Sequence, residues 1–310
     1  MTTKSEVIPF HPDLKMGFWV PKIIVSKLTL PFFRAKVKPK TSTETVEITN
    51  LQLQTRSGSR HARYYRPKGE TSALPLIFWI HGGGMIGGAP EQDDLQSIKI
   101  VESTGYAVLN VSYRLAPEHP APAAAEDVED AYRQIVQRAG ELGINTSKIV
   151  VAGGSAGGGL AALLCQELRH LRLPQPRLQV LIYPMLDDRT TLRNDKIKNL
   201  RAWYPASNLW SWRAYLNAEP GSDQVNSAHV PARQQDLRGL PATWIGVGSL
   251  DLFAAEDQEY AKRLSESDVP CELVIVDGAF HGFDVLFKEA PITIKFLETW
   301  VSAIKKSLET

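Results

Sequence analysis

Ser155 stands between paired glycines in Gly153-Gly-Ser155-Ala-Gly157, directly after the apolar run Lys148-Ile-Val-Val-Ala152. A serine hydroxyl attacks a carbonyl effectively only when a base takes its proton and an acid orients that base. A β-branched strand that ends in glycines and gives way to a small-residue helix holds the hydroxyl on a sharp turn above a sheet edge. Gly153 and Gly157 suit this turn because strand and helix backbones meet there and leave no room for a Cβ. Any glycine-rich turn can enclose a serine. Its place between a strand and a helix makes Ser155 the candidate nucleophile.

Seven histidines are available as bases. His11 and His61 precede the parallel-strand pattern, His119 lies in a proline-rich turn, His170 ends a helix and His229 sits in a long excursion. Those five read as structural, and His81, which opens a glycine run, is expected to brace that run. His281, in Asp277-Gly-Ala-Phe-His-Gly-Phe283, follows the last strand among small residues that suit a mobile, exposed imidazole. It is the candidate base. Two aspartates compete for the acid: Asp251, after the strand Trp244-Ile-Gly-Val-Gly248, and Asp187, beside Asp188, after the strand ending at Tyr183. Asp251 is preferred, because the order Ser, Asp, His then comes from successive strand ends.

Acyl transfer develops negative charge on the carbonyl oxygen and needs aimed donors. His81-Gly-Gly-Gly84, after the strand Leu74–Ile80, offers N–H groups where side chains would obstruct a substrate. Ala156 offers another at the start of its helix. Gly83, Gly84 and Ala156 form the expected oxyanion hole. The same glycines also satisfy G-x-G-x-x-G (Gly82, Gly84, Gly87), a dinucleotide-binding signature. The acids Glu91, Asp93 and Asp94 at the next helix would repel a pyrophosphate, and Ser112-Tyr-Arg after the following strand lacks a ribose-binding carboxylate.

These groups need a scaffold that brings several loops to one edge. Thr43 to Leu53 and Ala62 to Tyr65 alternate and predict an antiparallel pair around a turn at Gly58. From Leu74 onward, strands at 74–80, 106–111, 148–152, 178–183, 242–247 and 272–276 alternate with helices at 93–103, 123–138, 156–169, 254–265 and 291–306. This rhythm predicts an α/β fold: an eight-stranded, mostly parallel sheet with helices on both faces. Ser155 follows the fifth strand. The chain, 1–310, is expected to form a single domain with cap elements over about 1–40 and 188–240. The first of these mixes Phe18, Trp19, Ile24, Leu28 and Phe33 at spacings that fit short amphipathic helices, lying either as a lid or as plain packing. The second belongs to the aromatic-rich interval Asp187–Leu240, with Trp203, Tyr204, Trp210, Trp212 and Tyr215.

Composition narrows the partners. A formal net charge of +1 offers no electrostatic case for nucleic acid, and the cluster Arg34, Lys36, Lys38, Lys40 reads as a solvated linker. The stretch Met16–Phe33 is broken by Pro21, Lys22, Lys27 and Pro31, so neither a signal peptide nor stable membrane insertion is expected. Cys165 and Cys271 are expected to be buried thiols without a disulfide, in a cytoplasmic protein. A homodimer stays open.

Taken together, the motifs resemble one family. His81-Gly-Gly-Gly84, Tyr113-Arg-Leu-Ala-Pro-Glu-His-Pro120, Gly153-x-Ser-Ala-Gly-Gly158, Asp251 with Glu256, and His281-Gly-Phe occur in the order seen in hormone-sensitive-lipase-like α/β-hydrolases, the bacterial family IV esterases. The resemblance runs from about residue 70 to the C-terminus. It implies an α/β-hydrolase fold with an N-terminal helical cap, no metal or organic cofactor, and hydrolysis of small-molecule esters with short to medium acyl chains. It assigns Ser155, Asp251 and His281 to the catalytic triad. It also implies that the Tyr113–Pro120 turn is structural, with its arginine and glutamate buried and paired. Two positions depart from the family pattern: Gly154 stands where aspartate is usual, and Met85 where an aromatic is usual. Both bear on substrate range, and Met85, Gly154, Phe18, Trp19 and Trp210 are the expected pocket residues. An amidase or lactonase using the same triad, or a non-catalytic small-molecule receptor of this fold, are the alternatives.

Overall fold

The strands whose residues are buried on both sides organise the molecule. The computed structural model describes residues 9–22, 24–193 and 197–309. Eight strands form one sheet in the order β1-β2-β4-β3-β5-β6-β7-β8. They are β1 (Val46–Thr55), β2 (Gly58–Pro67), β3 (Leu74–Ile80), β4 (Ala107–Val111), β5 (Ile144–Gly154), β6 (Leu178–Ile182), β7 (Ala242–Gly248) and β8 (Cys271–Val276). β1 and β2 pair antiparallel, β2 joins β4 antiparallel, and the remaining pairs are parallel. The expected α/β architecture is the one found.

Period-two alternation divides the core. Leu76, Phe78 and Ile80 of β3 share one buried cluster with Leu109, Val151, Leu181 and Ile245. The helices Ala123–Gln137, Ala156–His170 and Ala254–Glu266 contribute to that cluster. Ile77 and Trp79 face the other way, toward the helices Asp94–Thr104 and Pro291–Glu309. β4 and β6 are buried at every position, as strands covered on both faces must be.

The segments outside this alternation differ from expectation. Residues 9–40 contain a 3₁₀ stretch, Pro12–Trp19, and a single helical turn, Leu30–Phe33, in place of amphipathic helices. Prolines at 12, 21 and 31 remove donors and fix φ, which keeps regular helix short. Among its described residues, the interval 187–240 holds one helix of length, Pro205–Leu216, among 3₁₀ turns. Trp203, Tyr204, Trp212 and Tyr215 are buried there, and Trp210 is half-buried. Cys165 is buried, Cys271 is only half-buried, and both thiols are free. Among the described residues no helix is long and apolar enough to cross a membrane.

Candidate active site

Ser155 occupies the turn between β5 and the helix Ala156–His170 at φ 56°, ψ −120°. A non-glycine residue held there costs about 1–3 kcal/mol, so the surroundings must enforce it. They do so with three backbone bonds. Ser155 N donates to Ile182 O (2.8 Å), and its carbonyl accepts from Met185 N (3.0 Å) and Gly159 N (3.1 Å). A Cβ on Gly157 would lie 2.0 Å from Ile80 O, and one on Gly153 would lie 2.5 Å from Gly157. The close meeting of strand and helix therefore demands both glycines.

The side chains of Ser155, His281 and Asp251 form one hydrogen-bonded chain. His281 Nε2 lies 3.0 Å from Ser155 Oγ, and His281 Nδ1 lies 2.8 Å from Asp251 Oδ2. A carboxylate only accepts, so the ring proton sits on Nδ1 and Nε2 is left to accept from the serine hydroxyl. Asp251 is fully buried, and its Oδ1 accepts from Phe253 N at 2.9 Å. The imidazole is neither exposed nor loosely held as the small flanking residues suggested. It is 8% exposed and boxed by Tyr183 (4.8 Å), Phe253 (5.2 Å) and Trp203 (6.3 Å between ring centres).

Asp187 takes no part in this chain. Its carboxylate accepts from Arg189 N, Nε and Nη2 at 2.9, 2.8 and 2.9 Å within its own loop. Asp188 is fully buried against Arg233 (2.7 Å).

The glycine run after β3 lies beside Ser155. Gly83 adopts φ 121°, and a Cβ there would come within 2.2 Å of Gly87 O, so only glycine fits. Among the described residues, the N–H groups of Gly83, Gly84 and Ala156 donate to no protein acceptor. His81 holds the run from behind. Its ring stacks on Tyr113 (4.2 Å, 12°), its Nδ1 lies 2.8 Å from Gly82 O, and Tyr113 OH donates to His81 O at 2.9 Å. Burial pushes the His81 imidazole down to about 4, which keeps it neutral. The run leads to a 3₁₀ turn, Pro90–Asp93, before the helix Asp94–Thr104. The neighbouring Tyr113–Pro120 turn departs from the buried arginine–glutamate pair. Arg114 bonds Asp127 (2.9 Å), whereas Glu118 is exposed and pairs with Arg34 (2.8 Å).

A cavity of about 250 Å³ opens over Ser155 and His281. Of the five expected pocket residues only Gly154 lines it. Glycine is not a steric requirement there, since a Cβ would meet nothing nearer than Tyr183 Cε2 at 3.7 Å. Met85 is instead fully buried in the core at φ 60°, turned away from the cavity. Phe18 and Trp19 are 64% and 73% exposed, and Trp210 packs against the main core. The walls are Phe33, Trp79, Tyr183 and Trp203, with Val285 and Leu286. Asp93 also lines the cavity and accepts from Trp79 Nε1 at 2.8 Å; burial raises its carboxyl to about 7. Tyr183 OH donates to Asp284 at 2.7 Å, and burial raises that carboxyl too. These wall residues escaped sequence reasoning because they come from five separate segments. Asp93 showed only as an acid at a helix start.

This geometry has known counterparts. Residues 77–285 match the family described as the alpha/beta hydrolase fold. An ethyl acetate hydrolase from Pseudomonas putida is 31% identical over 243 residues, 76% of this chain and 75% of that protein. Carboxylesterase NlhH from Mycobacterium tuberculosis is 31% identical over 263 residues, covering 79% and 78%. The solved structure of a bacterial heroin esterase superposes with a TM-score of 0.87 at 30% identity, covering 97% of this chain and 98% of that one. The chain belongs to the α/β-hydrolase family, in its hormone-sensitive-lipase-like branch, as the motifs led us to expect.

Proposed function

We propose that this chain is a serine carboxylesterase acting through an acyl-enzyme. One observation carries the reading: the unbroken hydrogen-bonded chain from Ser155 Oγ through His281 to the buried Asp251, at the floor of a cavity. Ser155 attacks the ester carbonyl while His281 accepts its proton and returns it to the leaving alcohol. Asp251 fixes the tautomer and stabilises the imidazolium. The unpartnered N–H groups of Gly83, Gly84 and Ala156 stabilise the oxyanion. Water activated by His281 then releases the acid and restores the serine.

The names of the relatives, an ethyl acetate hydrolase and a carboxylesterase, support ester over amide. A cavity of about 250 Å³ with aromatic walls supports short to medium acyl chains. The two free thiols fit a reducing, cytoplasmic setting. Ser155→Ala should lower hydrolysis of p-nitrophenyl butyrate by about a million-fold. Undiminished turnover in that variant overturns the assignment. An acyl series from acetate to dodecanoate, run with amide and lactone substrates, measures the chain-length preference and tests ester against its rivals.

A further inference from the structure

The segment 9–40 carries two sets of apolar side chains. Leu14, Val25 and Leu30 are buried and dock it on the body of the protein. Its backbone is tied down as well: His11 N donates to Gly278 O (3.0 Å) and Val25 N to Ser207 Oγ (2.9 Å). The second set faces outward. Met16 and Phe18 are 64% exposed, Trp19 73%, Leu28 86% and Phe32 82%. Single exposed apolar side chains need no explanation, but five large ones between residues 16 and 32 do.

Neighbours of this second set touch the cavity or the segments that line it. Phe33, the neighbour of Phe32, lines the cavity wall. Gly17, between Met16 and Phe18, lies so close to Phe280 that a Cβ would strike its ring at 2.5 Å, and Phe280 precedes His281. The Gly17 carbonyl accepts from Arg201 Nε at 2.9 Å, next to the cavity-lining Ala202 and Trp203. Val285 and Leu286, on the same cavity, add two half-exposed aliphatic side chains.

Charge identifies what covers this face. Residues 9–40 hold Lys15, Lys22, Lys27, Arg34, Lys36, Lys38 and Lys40 against one carboxylate, Asp13, in a chain of net charge +1. Arg34 is paired with Glu118. The six lysines are exposed, and none forms an ion pair among the described residues. We propose that this face docks on an anionic lipid surface, with the aromatic and aliphatic side chains in the headgroup layer and the cavity mouth turned toward the lipid. Apolar side chains of this kind enter the headgroup boundary, while lysines are drawn to the negative surface potential. A second copy of the chain would bring six like charges against these six, which opposes a face-to-face dimer. Docking needs no turnover, so it stands or falls separately from the esterase reading.

The test uses the full chain sedimented with phosphatidylcholine vesicles, with and without phosphatidylglycerol. Trp19 is its own reporter: Trp79, Trp203, Trp212, Trp244 and Trp300 are buried and Trp210 is half-buried. Binding to the anionic vesicles should be at least about tenfold tighter than to the neutral ones and should weaken in high salt. Tryptophan emission should shift to the blue in the wild type and not in Trp19→Phe, which should still bind. Lys36→Glu with Lys38→Glu and Lys40→Glu should abolish the anionic preference. Leu28→Ser with Phe32→Ser should weaken binding about tenfold. Both sets should leave hydrolysis of a dissolved ester unchanged. Equal binding to both vesicle types, or none, overturns the proposal. So does a lipid-free dimer in analytical ultracentrifugation that shields Trp19, which would assign the face to a second copy. Vesicle binding by a wild-type chain that hydrolyses no ester would sink the esterase reading and leave the docking intact.

Discussion

Two loops leave adjacent strands at the same sheet edge, and each carries an aspartate. After β7, Asp251 is fully buried, accepts from Phe253 N and holds His281 at 2.8 Å. After β6, Asp187 is closed onto Arg189, whose side chain is 48% exposed. Both are aspartates in the loop that follows a strand, β6 ending at Ile182 and β7 at Gly248. The difference lies in what each carboxylate faces: an imidazole in one loop, its own arginine in the other. Glu256, on the helix that follows Asp251, ties the loops together. It accepts from Leu186 N (2.7 Å), Asp187 N (3.2 Å) and Thr190 Oγ1. The Asp187 loop therefore serves as a support for its neighbour.

The contrast can be broken most directly at Asp251. Asp251→Asn keeps an acceptor for Phe253 N but removes the charge that orients His281, and kcat should fall about ten-thousand-fold. A larger loss in Asp187→Asn than in Asp251→Asn would reverse the assignment of the two loops.

Glu256 sharpens the comparison through pH. Burial outweighs its three donors and raises its carboxyl from 4.5 to about 8. Across that window the folded chain keeps a proton that the unfolded chain releases. This contribution to stability is present at acid pH and is lost as pH rises through about 8. In Glu256→Gln the side chain is neutral throughout. Its loss of Tm between about pH 5 and about pH 8 should be smaller than in the wild type, as read by calorimetry. The slope will not vanish, because Asp257 beside it is also buried, unpartnered and raised by burial. A wild-type slope retained in full would show that Glu256 is ionised in the fold.

The smallest effect is expected at Asp187. Asp187→Asn loosens a pair with a half-exposed arginine, so stability should change by less than about 1 kcal/mol and kcat by less than about twofold. A substantial fall in kcat would show that the support loop sets the position of Asp251.

Much of the fold was legible because each signal is local. Runs such as Leu74–Ile80 and Leu178–Ile182 are continuous apolar strands, and Ser155 sits where glycines permit strand and helix to meet. The cavity walls were not legible. Met85 follows the glycine run, but a turn at φ 60° sends its side chain into the core. Phe18 and Trp19 read as pocket residues, yet Leu14, Val25 and Leu30 take the inward positions and leave both rings outside.

By itself, the sequence determined the order of strands and helices, the family, and a short roster of side chains able to do acyl chemistry. Those properties depend on residue spacing along the chain. Only the tertiary structure shows that Asp251 lies against His281 while Asp187 closes on Arg189, and only it draws Phe33, Trp79, Tyr183 and Trp203 around one cavity. Contacts between residues distant along the chain are set by how loops close over a sheet edge. No local periodicity encodes that closure.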